Sequence, residues 1–235
     1  MIDYQHLMSL LPNKRPESIE ELNPALRLYR DDKFEVWFAP MGSINAFAKI
    51  AIYGITPGWT QMRAAFAHEA TKKSGGNSDG SEIAFAGSMR TNLVSMLDEI
   101  GLPSGFGITS SSELFSSNFL HASSVLKYPV FKNKQNYSGS GPSPIKHPYL
   151  KKMVDTILVD ELKQLSNCLI IPLGKSANEV LFYAREHINN SCCLLDGIPH
   201  PSGANGTRVR QFNNNKQKFS SLLSQWFVNS TNNNI

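Results

Sequence analysis

The segment Lys49 to Gln61, KIAIYGITPGWTQ, constrains the chain more than any other. Ile50, Ala51, Ile52 and Tyr53 make an apolar run too short for a helix of its own. Glycine and proline stop that run, so it reads as a buried strand. Gly54 to Gly58 then make a sharp turn, and MRAAFAHEA continues as a helix. Backbone amides exposed by such a turn at a helix start can hold a water, an anion or a base edge. Strand ends in α/β sheets are where ligands usually sit. An ordinary tight turn between strand and helix would read the same way. A second stretch, GIPHPSGANG from Gly197 to Gly206, gives the first its chemical meaning.

The rest of the chain supplies a frame for these two stretches. Residues 1–31 read as helical, with Pro12, Pro16 and Pro24 as interruptions, and residues 1–40 are expected to form an N-terminal extension packed on the sheet edge. FEVWFAP (34–40) reads as a strand. Lys72 to Glu82 is a Gly/Ser-rich loop. Leu93, Met96, Leu97 and Ile100 recur at helical spacing, which predicts an amphipathic helix ending at Gly101. Asn118 to Pro129 reads as a second buried strand running into a loop, and Phe131 to Tyr149 as a long basic loop. The helix LKKMVDTILVDELKQL, the strand CLIIPLG and the helix KSANEVLFYAREH follow. A last strand leads into the second stretch, and RVRQFNNNKQKFSSLLSQWF makes the final amphipathic helix. Residues 1–228 thus read as one α/β domain, and 229–235 as a disordered tail.

Charge narrows the partner class. The net charge is only +4, but residues 1–113 hold ten Lys and Arg against thirteen Asp and Glu, and residues 114–235 hold thirteen against six. No acidic residue falls between Glu113 and Asp155, where six lysines occur, and none follows Asp196. Two basic, acid-free tracts, one opening directly off the second stretch, suit a phosphate backbone. A solvated face with incidental bias is the alternative. No apolar run approaches the roughly 20 residues that span a bilayer. The N-terminus lacks the basic start of a signal peptide. Cys168, Cys192 and Cys193 form neither a disulfide framework nor a metal-cluster spacing, so a cytoplasmic setting is expected.

GITPG (54–58) with HPSGAN (200–205) resembles the paired motifs of the uracil-DNA glycosylase superfamily. The first is nearest the mismatch-specific branch, which carries Asn where this chain has Thr56. The resemblance implies a three-layer α/β/α fold with a central, mainly parallel four-stranded sheet. It implies a monofunctional glycosylase that acts on a base flipped out of DNA, as a monomer without cofactor or metal. His200 takes the place of the histidine that donates to the departing base. Gly54, Ile55, Pro57 and Gly58 would bound that base, and Phe85, in FAG, would stack on it. Ser202 would grip a phosphate, Gly203, Ala204 and Asn205 would enter the groove, and Arg208 and Arg210 would hold flanking phosphates. Lys132 and Lys134 on the basic loop would face double- or single-stranded DNA.

Two departures redirect the substrate. His121 stands where the family places a base-reading Asn, and an imidazole offers its donor and acceptor on opposite nitrogens. Gly58 replaces a Tyr that excludes substituents at pyrimidine C5. A 5-modified pyrimidine is therefore expected over plain uracil, such as a modified cytosine of phage DNA. A plain uracil or mismatch glycosylase and a non-catalytic DNA-binding module remain as alternatives, as does a small-molecule hydrolase. Thr56 is the expected water-holding residue, with Gln61 as an aid, although a threonine hydroxyl is a poor base. Asp79 and Glu82 are the other candidates. No His-Glu-Xaa-Xaa-His pair or phosphate-loop motif is present.

Overall fold

The computed structural model describes residues 3–76, 83–85, 87–165, 167–188 and 193–232. Asp3 caps the first helix, α1 (Tyr4–Ser9), by accepting from the His6 N–H. The chain then makes single turns at Ile19–Glu21 and Pro24–Leu26 and enters two strands, β1 (Arg27–Arg30) and β2 (Phe34–Trp37). The strand at Arg27–Arg30 corrects the expectation that residues 1–31 are interrupted helix throughout. Strand β3 (Ile50–Gly54) is wholly buried and passes through the Gly-Pro-Gly turn into α2 (Trp59–Lys73), as the sequence predicts. Helix α3 (Ser88–Glu99) buries Leu93, Met96 and Leu97 on its expected face.

Strand β4 (Leu120–Ser124) lies beside β3. The basic stretch after it is partly structured: β5 (Val130–Lys132) and β6 (Gln135–Asn136) form a hairpin. Its two-residue connection, Asn133 and Lys134, has φ of 49° and 63°, which suits the tight turn that matches strand twist. Helices α4 (Pro148–Met153) and α5 (Val159–Gln164) are joined by one π turn at 154–158. Strand β7 (Leu169–Pro172), helix α6 (Lys175–Arg185) and strand β8 (Cys193–Leu194) complete the sheet. Helix α7 (Arg208–Asn232) follows and continues four residues into the segment read as a disordered tail.

The main sheet has the order β4-β3-β7-β8, and every pairing in it is parallel. Strand periodicity decides what each face packs against. Ile50 and Ile52 of β3, with Leu169 and Ile171 of β7, pack with Leu93 and Leu97 of α3 and Phe212, Phe219 and Leu223 of α7. Ala51, Tyr53 and Ile170 point the other way, into Val159 and Leu162 of α5 and Val180 and Leu181 of α6. Helices therefore cover both faces, which is why these strands read as continuous apolar runs. A second, antiparallel sheet of order β1-β2-β5-β6 lies beside this frame. Trp37, Phe38 and Phe131 from it pack with Leu7, Leu26 and with Met62 and Phe66 of α2. The N-terminal extension is thus tied to α2 through a core of its own.

Candidate functional site

The turn after β3 faces the loop after β8 across one cleft of about 1270 Å³. Small-ligand clefts run to roughly 300–1,000 Å³, so there is room for a base with its sugar and neighbours. Gly54, Ile55, Thr56, Pro57, Gly58 and Gln61 line it together with His200, Ser202, Ala204 and Asn205. Phe85 lines it too, 8% exposed, in contact distance of Gly54: a Cβ on that glycine would sit 3.4 Å from the ring. Its φ of 50° is unusual for a bulky residue and marks a position held by its surroundings. The sequence thus brought together stretches some 145 positions apart.

His200 is placed by the second loop itself. The Ser202 N–H donates to its Nδ1 at 3.2 Å. In the neutral ring this puts the proton on Nε2, for which no partner is found among the described residues. Burial pushes the His200 imidazole below its usual value, as the sequence reading expects of a neutral donor. Gly174, with φ of 85°, lets the loop come close: a Cβ there would lie 3.0 Å from the His200 Cβ. The loop is braced from outside. Asn205 donates to the His200 carbonyl at 3.2 Å, and Asn92 donates to Pro201 O at 2.9 Å. Arg208 donates from Nη1 to the carbonyls of Pro201 and Ser202, so one arm of its guanidinium braces the loop.

Several expected roles change. The Thr56 hydroxyl donates to Tyr128 O at 2.9 Å and accepts from the Val130 N–H at 3.0 Å. Its one donor and one of its two lone pairs go into pinning the turn to β5 and the residues before it, so the hydroxyl has a structural role beside the expected one of holding a water. The Gln61 Oε1 accepts from the Gly58 N–H at 3.0 Å, a cap for α2 rather than an arm for the reaction. Gly58 leaves no empty wall: a Cβ there would lie 3.1 Å from Gln61 Oε1 and 3.2 Å from Asn136 Nδ2. The Asn136 Oδ1 is itself fixed by the Trp59 N–H at 2.9 Å.

His121 is not in the cleft. It is 4% exposed, on the face of β4 that packs on α5, with Nε2 2.9 Å from Glu161 Oε1. It pairs with Ala51, three residues short of the strand end. Ala122, Ser123 and Ser124 reach the cleft in its place. Gly203 is exposed at the loop tip, and Arg210 is exposed on the first turn of α7. Lys132 and Lys134 belong to the β5–β6 hairpin and do not line the cleft. Asp79 and Glu82 lie outside the described residues. Sequence reasoning missed Lys72, Lys127, Lys175, Glu69 and Asn136, all of which line the cleft. Lys127 had a signal in the acid-free tract; the others had none. Among the described residues Glu69 is the one carboxylate in the lining, and it pairs with Lys72 at 3.6 Å. Among the described residues no group of three or more His, Cys, Asp or Glu could hold a metal, and no helix is long and apolar enough to cross a membrane.

Chemically, the cleft joins an aromatic wall, a neutral imidazole donor and lysine ammonium groups at one mouth. Such a site can hold a flat, polar group and donate a hydrogen bond to it as negative charge grows. No protein-family model matches the chain, and no solved structure matches it. A Bacillus subtilis (strain 168) protein recorded as "Uncharacterized protein YoxB" is 36% identical over 228 residues, covering 92% of this chain and 89% of that protein.

Proposed function

The chain belongs to the family that includes Bacillus subtilis YoxB, and we propose that it is a monofunctional DNA glycosylase. It hydrolyses the N-glycosidic bond of a base flipped out of DNA, and a modified cytosine is its substrate. The observation that carries this reading is the meeting of the 54–58 turn, Phe85 and His200 at one cleft. Breaking that bond places positive charge on the sugar and negative charge on the departing base. A neutral imidazole with its proton on Nε2 donates to the base without first having to lose a proton. Phe85 stacks on the base, and the half-buried 54–58 turn bounds its edge. Lys72 and Lys175 bring ammonium groups to the lining that a polyanion can meet. The uracil-DNA glycosylase-like fold belongs to the same reading and is supported by the all-parallel sheet with helices on both faces. The preference for a modified base now rests on the size of the cleft and the displacement of His121, since Gly58 opens no wall.

One observation favours a second reading, a DNA-binding module without catalysis. Thr56 is committed to the backbone of 128–130, and the lining carboxylate Glu69 is paired, so neither offers a free base to the cleft. The two readings part on an excision assay with oligonucleotides bearing uracil, mismatched thymine and modified cytosines. The glycosylase leaves alkali-sensitive abasic sites, and His200→Ala slows their formation by about 100-fold or more, as for loss of a preorganised donor. A gel shift with no abasic sites on any substrate selects the binding module.

A further inference from the structure

A buried carboxylate lies behind the cleft and joins it through Lys127. Glu161 of α5 is 3% exposed, and both its oxygens are used. Oε1 accepts from the Tyr53 hydroxyl at 2.8 Å and meets His121 Nε2 at 2.9 Å, and Oε2 accepts from Lys127 Nζ at 3.2 Å. The Asn45 N–H lies 3.4 Å from His121 Nδ1, which assigns the ring proton to Nε2, aimed at Glu161. Desolvation raises the Glu161 carboxyl, but the His121 hydrogen bond and the Lys127 charge outweigh it and bring it to about 2. A buried carboxylate is retained at such cost where it fixes something else.

That something is Lys127. Of the four groups it alone lines the cleft, with its side chain 17% exposed. One of its three N–H donors goes to Glu161, and among the described residues no second partner of Nζ is found. A lysine ammonium offers donors and no acceptor.

We propose that Lys127 is the residue that selects the base: its ammonium, aimed by Glu161, donates to ring-nitrogen and carbonyl acceptors on the edge of a cytosine-type base. The N3 and O2 of cytosine are adjacent acceptors. The N3–H of a uracil-type base would set donor against donor and is disfavoured. Glu161, His121 and Tyr53 are positioning residues, and the inference rests on the glycosylase reading above.

The test uses two duplexes that differ only in the ring, 5-hydroxymethylcytosine against 5-hydroxymethyluracil, and a third carrying a tetrahydrofuran abasic analogue. The full chain is expected to excise the cytosine form faster. Lys127→Met lowers that preference by about 10-fold or more, the order of a hydrogen bond to a charged group. It leaves affinity for the tetrahydrofuran duplex unchanged, because Lys127 meets the base and not the backbone. Lys127→Arg restores the preference. Should Lys127→Met fail to fold, the double variant Lys127→Met/Glu161→Gln removes both charges together and carries the same expectation. Equal slowing on both bases, or weaker binding to the tetrahydrofuran duplex, overturns the inference. If the wild type excises neither base, the glycosylase reading fails. Lys127 is then tested by titrating free cytosine and free uracil, where a cytosine preference lost in Lys127→Met supports the inference and no difference overturns it.

Discussion

Thr56→Val separates a pinning hydroxyl from a catalytic one. Valine keeps the shape and removes the hydroxyl that donates to Tyr128 O and accepts from the Val130 N–H. Val130 is fully buried, so its N–H finds no water in exchange. Leaving a buried polar group without a partner costs about 1–3 kcal/mol, and the Tyr128 carbonyl loses a partner too, so the variant should lose about 2–4 kcal/mol. For a chain of this size each kcal/mol lowers Tm by about 2–4 °C, which predicts a fall of about 5–15 °C. Thr56→Ser keeps both hydrogen bonds and loses only a methyl group, so it should melt within a few degrees of the wild type. The assay is thermal or urea unfolding of the three proteins, with single-turnover excision measured well below the lowest Tm. Thr56→Val with wild-type stability and abolished excision would refute the reasoning, because the hydroxyl would then serve a water and not the fold.

The remaining predictions address the other groups in and behind the cleft. For Glu161, a carboxyl at about 2 in the folded state against 4.5 otherwise contributes about 3 kcal/mol. That stability is complete above pH 4.5 and is lost as the pH falls towards 2, so urea midpoints should drop across this window in the wild type and much less in Glu161→Gln. His200 is held below its usual value by burial, so its NMR titration midpoint should lie below 6.5 and excision should stay level on lowering the pH through 6.5. A midpoint above 6.5 would remove the neutral-donor argument. Gly174→Ala places a methyl group 3.0 Å from His200 Cβ at a φ of 85°. It should cost about 1–2 kcal/mol and should slow excision more than it weakens binding to the tetrahydrofuran duplex, since it displaces the imidazole.

What the sequence made legible was local. The run Ile50–Tyr53 bounded by glycine and proline, and the heptad-like recurrence of Leu93, Met96 and Leu97, report their own environment, and both elements lie where expected. The partners of hydroxyls and amides were not legible, because Thr56 meets Val130 and Trp59 meets Asn136 across more than seventy positions. Nor was the pairing of β2 with β5, which makes a second sheet from the N-terminal extension and a stretch read as loop.

His121 shows how a correct frame can still misplace a side chain. Matching a motif fixes which strand carries a residue, but register fixes which face it takes, and depth along the strand fixes whether it reaches the cleft. Strand β4 ends at Ser124, three positions beyond His121. Alternation gives His121 and Ser123 one face and Ala122 and Ser124 the other. Ser123, next to the strand end, still reaches the cleft, while His121, two residues deeper, goes to Glu161. A register slip of one residue would turn His121 to the other face and leave Glu161 short of a donor. Lys127 lies three residues past the strand, where the chain has left the sheet and the side chain can return to Glu161 while still lining the cleft. The register and depth of His121 in β4, more than its identity, therefore give it to Glu161 and not to the cleft.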